Sequence, residues 1–451
     1  LVPDGMTILG YMESGNDAAN ISNIFHLTDK SKAVVIENNN IVYKNLSELV
    51  KVNVPSWIYG EEANTPVVTG HPGNAKYTLR YTGINGTNYD SENAPTEGGK
   101  YKLTVTFEAT AVYNACAAET EFIVAKGASV TESIELLRKY VFGENHEKST
   151  ELTSAGQSLD SGAYHMSKDF DNVTTVKAGQ TVYFDFNGFR TCTAYGKNSF
   201  NLEQGATLYL FDSNVENNYG GVQINNGGIQ VAANATINFM GGRTARTDNR
   251  PATFLRGNTE SCTVNFYAGN YGGWMANNMF VDAKVNLCGP ANINFDYNGG
   301  RVFSSSNILN VTGDVSGADF LVPDGMTILG YMESGNDASK AGDIFVPRDK
   351  TQVAVVENNK VVCRKLSDYV TANEATKVYN GENLFTSMVV CDEKLGTVKV
   401  TYSLTQNGSY SETLPQLVDA GTYTVYFKVT KNAAEYGGTV NLTITPRHIA
   451  V

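Results

Sequence analysis

Six aspartates, Asp169, Asp171, Asp185, Asp212, Asp282 and Asp296, are the residues of this chain whose type and abundance could do chemistry in concert. Two carboxyls lining one groove can divide proton donation and acceptance between them, as in glycoside cleavage. None of the six stands in a recognisable lyase or hydrolase motif. Asp185-Phe-Asn187-Gly188 keeps only a fragment of the Asp-x-Asp/Asn-x-Asp/Asn-Gly calcium loop. It reads instead as a turn in which a short polar side chain bonds nearby backbone. The histidines His26, His71, His146, His165 and His448 are scattered, none at metal-ligand or nucleophile–base spacing from a cysteine or carboxylate, and they read as surface residues. Trp57 and Trp274 could stack on sugars or plug a core. The cysteines Cys116, Cys192, Cys262, Cys288, Cys363 and Cys391 form no CxxC pair, which sets aside zinc-ribbon and thioredoxin chemistry. They read as buried free thiols, with Cys192, Cys262 and Cys288 as the candidates for a bridge. No catalytic residue, metal or cofactor is expected.

The elements that would position these residues are set by a repeat. The string LVPDGMTILGYMESGNDA opens at Leu1 and again at Leu321, an offset of 320 residues, and the likeness continues with AVVIENNNIVYKNLSELV facing AVVENNKVVCRKLSDYV once one residue is dropped. A unit this long must contain whole domains. With 41% apolar and 18% charged residues the chain can build cores. A net charge of −12 argues against a nucleic-acid partner, which would need clustered Lys and Arg. No stretch of eighteen apolar residues is present, so no membrane-spanning segment is expected.

Short runs rich in Thr, Val, Tyr and Phe, punctuated by Asn-Gly and Gly-Gly, predict a mainly β chain. Residues 51–127 and 371–451 carry short alternating strands that suggest sandwiches. Gly421 and Gly99, each ahead of a long alternating strand, are expected to supply the positive φ of a tight turn. Tyr423 and Tyr101 would then be interior anchors whose hydroxyls reach backbone. Ser129 and Glu132 have capping-box spacing, and Val130, Ile134, Leu137 and Val141 share one face before Gly143, so a helix of about three turns is predicted there. From about 145 to 370, strand segments recur at roughly 20 to 30 residues per turn, which suits a parallel β-helix. Asparagines at its bends could form amide ladders.

Two resemblances follow from these residues. The order Tyr379-Asn-Gly381, Val400 and Tyr402, Asp419-Ala-Gly-Thr-Tyr423, Tyr436-Gly-Gly and a final TITPR resembles the tyrosine-glycine type of bacterial Ig-like repeat found in surface proteins and adhesins. The first copy keeps Tyr59-Gly60 and Gly99-Lys-Tyr101. Asp185, Asn187, Gly188, Asp212, Gly241 and Gly242 stand where right-handed β-helix modules of bacterial surface proteins carry a turn, a rung and a Gly-Gly turn. The expectation is therefore an all-β chain in which right-handed parallel β-helix (solenoid) alternates with Ig-like β-sandwiches. Residues 1–50 would be the C-terminal part of a preceding β-helix repeat, 51–127 a sandwich, 128–370 a β-helix with an N-terminal capping helix, and 371–451 a second sandwich. Residues 1–50 would be ordered only when a preceding repeat or neighbouring chain covers them.

The function implied is structural and non-enzymatic: a secreted or cell-surface array forming an adhesive stalk or fibre. Its partners would be neighbouring repeats, copies of itself, and host or matrix glycans. The alternative is a polysaccharide-binding or polysaccharide-degrading β-helix protein. Fold alone does not choose between them.

Overall fold

The computed structural model describes residues 1–3, 6–73, 75–154, 156–170, 174–191, 198–214, 220–223, 228–245, 255–257, 261–274, 283–296, 308–382 and 388–448. The chain is all-β, with strands far outnumbering helices. It divides into two compact units, Leu1–Val141 and Phe142–Val451.

In the first unit, residues 1–50 form an arm with a small core of its own, Val2, Tyr11, Ile21, Leu27 and Val34. Its hairpin, Lys32–Glu37 against Asn40–Asn45, turns through Asn38 and Asn39 at φ 49° and 61°. Asparagine tolerates that left-handed backbone, and two such residues match the twist of a hairpin. Among the described residues, seven strands then span 51–125. Lys51–Asn53 pairs with Val67–Thr69, while Trp57–Ile58, Cys116–Ala125, Gly99–Phe107, Tyr77–Ile84 and Asp90–Ser91 make a second sheet. Every second residue of Gly99–Phe107 faces inward, and the core is built on Tyr101, Leu103, Val105, Phe122 and Trp57. Trp57 is 1% exposed and stacks on Phe122 with centroids 5.1 Å apart, so it fills the core and cannot meet a sugar.

A helix, Val130–Phe142, closes the unit with Ile134 and Leu137 on its buried face. Ser129 Oγ accepts from Glu132 N (3.2 Å), but the Glu132 carboxylate takes the amide of Ala128 (2.7 Å), one residue ahead of its place in a reciprocal capping box.

The second unit is a stack. From Thr150–Leu152 to Thr327–Leu329, strands pair in parallel with the strand one turn later, in three sheets. Register stacks like on like. Val182, Leu208, Ile237, Val264, Val285, Leu309 and Ile328 form one inward file, none more than 2% exposed. Phe184, Leu210, Phe239, Phe266, Leu287 and Val311 form the next. Each such side chain contributes about 1.5–3 kcal/mol by leaving water. The file between them starts with Tyr183 on Tyr209, rings 4.8 Å apart, and continues as Asn238, Asn265, Asn286 and Asn310. Asn265 Nδ2 donates to Asn238 Oδ1 (2.7 Å) and Asn286 Nδ2 to Asn265 Oδ1 (2.6 Å). Among the described residues the amide ladder runs along mid-strand positions, where pairing holds successive amides in register.

In the longest sheet parallel stacking ends at Thr327–Leu329, where Ile328 meets Val361 of an antiparallel hairpin, Gln352–Glu357 with Lys360–Lys365. This hairpin has two apolar faces. Ala354 and Val361 join the core of the stack, whereas Val353 and Val355 join a second core with Val425, Phe427, Val429, Leu442 and Ile444. That second core lies under a four-stranded sheet, Ala375–Val378, Ala434–Thr445, Gly421–Lys431 and Lys399–Ser403.

The two copies build the same junction at a constant offset of 320. Asn358 and Asn359 repeat the φ values of Asn38 and Asn39, so the two copies correspond without the one-residue gap expected from the sequence. In the first copy Tyr113 Oη donates to Ser22 O (3.2 Å) and Asn114 N to Lys30 O (2.9 Å). In the second, Asn432 Nδ2 donates to Gly342 O (2.5 Å) and Glu435 N to Lys350 O (3.2 Å). The acceptors are equivalent carbonyls. Beside them Lys431, 4% exposed, pairs with Asp343 and donates to Thr397 O (3.0 Å).

Phe266 is fully buried and stacks on Phe239 at 4.9 Å. Phe266→Ala should cost about 3–5 kcal/mol in urea denaturation, whereas Ile24→Ala, at a site 54% exposed, should stay within about 0.5 kcal/mol of the parent.

Candidate functional site

The parallel ladder sets His165 opposite Asp185 in the next turn of the stack, and Asp185 opposite Phe211 in the one after. Asp185 ends its strand and is completely buried. The chain then reverses through Asn187 and Gly188, at φ 49° and 79°. That reversal lets Asp185 Oδ1 accept from Asn187 N (2.8 Å) and Ser213 N (2.9 Å), while Oδ2 lies 2.9 Å from His146 Nε2. Burial by itself raises the carboxyl pKa, but the bonds from His146, Ser213 and Asn187 outweigh it and hold Asp185 below the usual carboxylate range.

His146 follows Gly143, the left-handed residue that stops the helix, and its ring stacks on His165 at 4.6 Å. Ser149 Oγ donates to His146 O (3.0 Å) and lies 2.9 Å from His165 Nδ1. Burial lowers the His165 pKa. Ser213 Oγ is 3.4 Å from His146 Nε2, the same nitrogen that faces Asp185. A Ser-His-Asp triad needs serine and carboxylate on opposite ring nitrogens. Here both converge on one, so the histidine is a brace and not a relay.

Asp212 lies one turn beyond Asp185. Its Oδ1 accepts from Gly188 N (2.7 Å). A Cβ on Gly220 would sit 2.3 Å from that carboxylate and displace it, and one on Gly241 would make a tight 3.2 Å contact with Asp212 N. Gly242 supplies a positive φ of 81°. Burial, then the charge of Asp185, pushes the Asp212 carboxyl up to about 6. Of the six candidate aspartates, the structure thus joins Asp185 and Asp212 and drives their pKa values apart, the condition for dividing acid and base roles. Both oxygens of Asp185 are already engaged, which favours a turn-holding role for it. Asp212 can take up and release a proton near neutrality.

The remaining candidates fall elsewhere. Asp169 accepts from Arg190 N (2.8 Å) and pairs with its guanidinium. Asp171, Asp282, Cys192 and the side chains of Asp296 and Trp274 lie outside the described residues. Cys116, Cys262, Cys288, Cys363 and Cys391 are free thiols. His71 is 9% exposed, stacked on Phe107 at 4.7 Å, with Nδ1 accepting from Gly73 N and Ala75 N. It and His146 are therefore not surface histidines. Sequence spacing hid His146 because 39 residues separate it from Asp185, and stacking alone brings them together.

Gly421 does not take a positive φ; it pairs with Ile444 as an ordinary strand residue, and a Cβ there would meet only the Tyr423 ring at 3.7 Å. Gly99 is likewise extended, but a Cβ would strike Thr87 at 2.7 Å. Tyr423 Oη donates to Asp419 O (2.9 Å) and Tyr101 Oη to Glu97 O (2.6 Å), the same four-residue reach in both copies.

A groove of about 560 Å³ opens in the second copy, lined by Asp324, Met326, Asp349, Lys360, Cys363 and Arg364 among others, and the Asp185–Asp212 cluster is not part of it. In the first copy Tyr43 stands where Cys363 does, and its hydroxyl bonds Met6 O. Among the described residues no group of three or more His, Cys, Asp and Glu is arranged to hold a metal ion, and no helix is long and apolar enough to cross a membrane.

Because the folded-state pKa of Asp212 lies above the unfolded value, the protonated form is bound more tightly in the fold. Its stabilisation is complete below about pH 3.8 and is lost as pH rises through about 6. The melting temperature should fall between about pH 4 and 6.5, and Asp212→Asn should remove part of that fall. Discounted for partial exposure, the gain at pH 7.5 is about 1–2 kcal/mol by denaturant titration. Comparison of the chain with protein-family models, curated proteins and solved structures finds no match.

Proposed function

We propose that this protein is an extracellular, non-enzymatic repeat protein, in which right-handed parallel β-helix modules alternate with Ig-like β-sandwiches to build a cell-surface stalk or fibre with adhesive surface. The observation that carries this reading is the junction built twice. An arm of one module is clamped to the following sheets through equivalent backbone carbonyls, Ser22 and Gly342, Lys30 and Lys350, although the donor residues differ. A joint preserved in geometry while its side chains vary suits a mechanical role, where stability is close to a sum of modules and junctions. The parallel stack contributes about 40 Å to each repeat at the usual strand spacing. Its partners would be neighbouring repeats, copies of itself, and host or matrix glycans.

The second reading, binding or cleavage of a polysaccharide, is favoured by the opposed pKa shifts of Asp185 and Asp212. Electron microscopy of chains carrying one, two and three 320-residue repeats should give particles whose length grows by a constant increment. Particles that grow in all directions would rule the stalk out. Screening acidic and neutral glycans should give no cleavage, and turnover abolished by Asp212→Asn would put the enzyme first.

A further inference from the structure

The two copies of the repeated arm differ in what covers them. Residues 1–18 and 321–338 are identical, as are the pairs Ile24-Phe25 and Ile344-Phe345. In the second copy Thr327–Leu329 pairs in parallel with Ile308–Val311, and Phe345–Pro347 with Phe320–Val322. Ile344 is there 4% exposed and Phe345 fully buried, and Met326 and Leu329 are half-buried. In the first copy the Val2–Leu27 bridge repeats the Val322–Pro347 pairing, so the local fold of the arm is kept. Residues 7–9, however, have no strand partner among the described residues, and Met6, Leu9 and Ile24 are 48%, 84% and 54% exposed.

The open edge and these apolar side chains lie where the preceding turn of the stack lies in the second copy. We infer that the face formed by residues 6–9 and 24–25 is a docking surface for the end turn of a parallel β-stack of the kind made by residues 308–320, received edge to edge in the register Leu309–Ile328, that is, onto Ile8. This rests on the stacked-module reading proposed above. Identity argues for this occupant: the same eighteen residues, in the same chain, are seated on such a turn. An unpaired strand edge flanked by apolar side chains is also the feature proteins ordinarily cover. The polarity of the ladder excludes the first turn, Thr150–Leu152, as the donor, because its open edge faces the opposite way along the stack.

The test compares amide hydrogen exchange in the 451-residue chain with that in a chain carrying a second copy of residues 142–320 joined ahead of Leu1. In the parent, residues 7–9 and 24–25 should exchange about 100-fold faster than 327–329 and 344–345. In the extended chain they should slow to within about tenfold of that reference. The inference is overturned if residues 7–9 stay fast while the added stack is itself protected, or if they are already slow in the monomeric parent. Protection that appears only with dimerisation, followed by sedimentation, would assign the face to a second copy and also overturn it. Fast exchange at 327–329 would instead remove the stacked-module reading on which it stands. If the added stack does not fold, the parent alone decides: Ile24→Lys should leave the melting temperature unchanged and Ile344→Lys should lower it, and equal losses refute the open face.

Discussion

Parallel pairing with the strand one turn away is the constraint on which the larger unit depends. Each backbone group between Gly162 and Leu329 that joins a ladder is bonded to the turn before or after it, so every side chain stacks on the residue in the same place one turn along. Apolar residues then make continuous files, and a polar residue inside such a file must be satisfied by its neighbours in it. Asn265 donates to Asn238 and Asn286 to Asn265 in this way, while Asn286 Oδ1 is left buried without a partner among the described residues. Tyr183 and Tyr209 stack ring on ring at the start of the same file, which packs their apolar faces.

The same constraint explains Asp185 and its surroundings. A carboxylate with no exposure is costly unless each oxygen is bonded. Stacking brings the amide of Ser213 from the following turn, the Asn187–Gly188 reversal brings a local amide, and His146 supplies the remaining partner. Asp212 receives the amides of Gly188 and Asn214, but burial and the neighbouring negative charge of Asp185 outweigh them, and so it keeps its proton to higher pH. The contrast between the two arises because the His146 bond joins two amides on Asp185, whereas the charge of Asp185 opposes ionisation of Asp212, and it needs no catalytic purpose.

A stack of open edges must be ended. In this chain the ending is the antiparallel hairpin Gln352–Lys365, which turns one apolar face to the stack and the other to the following sheets. The hairpin joins the two cores directly, because its residues belong to both. Ala354 and Val355 are adjacent and serve different cores, which is the period-two geometry of a strand used as a joint. The first copy preserves the hairpin, with Val34 in the core of the arm and Ala33 packed with Leu46 and Tyr113.

Much of this was legible in the residues. The duplicated string, the alternation of Gly99–Phe107 and the helix after Ser129 report local preferences, and local preference is what periodicity and capping residues encode. The left-handed pairs Asn38-Asn39 and Asn187-Gly188 belong to the same class, since their backbone needs residues of low steric cost. What spacing could not convey is any relation made by stacking. The approach of His146 to Asp185, the elevation of Asp212, the burial of Trp57 and His71, and the mid-strand asparagine ladder all join residues tens of positions apart. Gly421 shows the reverse limit: a glycine at a strand start looks like a turn residue, yet its φ is set by pairing with Ile444. By itself the sequence determined the β class, the duplication and the turns, because these depend on each residue and its near neighbours. Only the tertiary structure decided which carboxylate keeps its proton to higher pH, which aromatic rings are core and which copy of the arm is covered, because each depends on what the next turn of the chain brings against it.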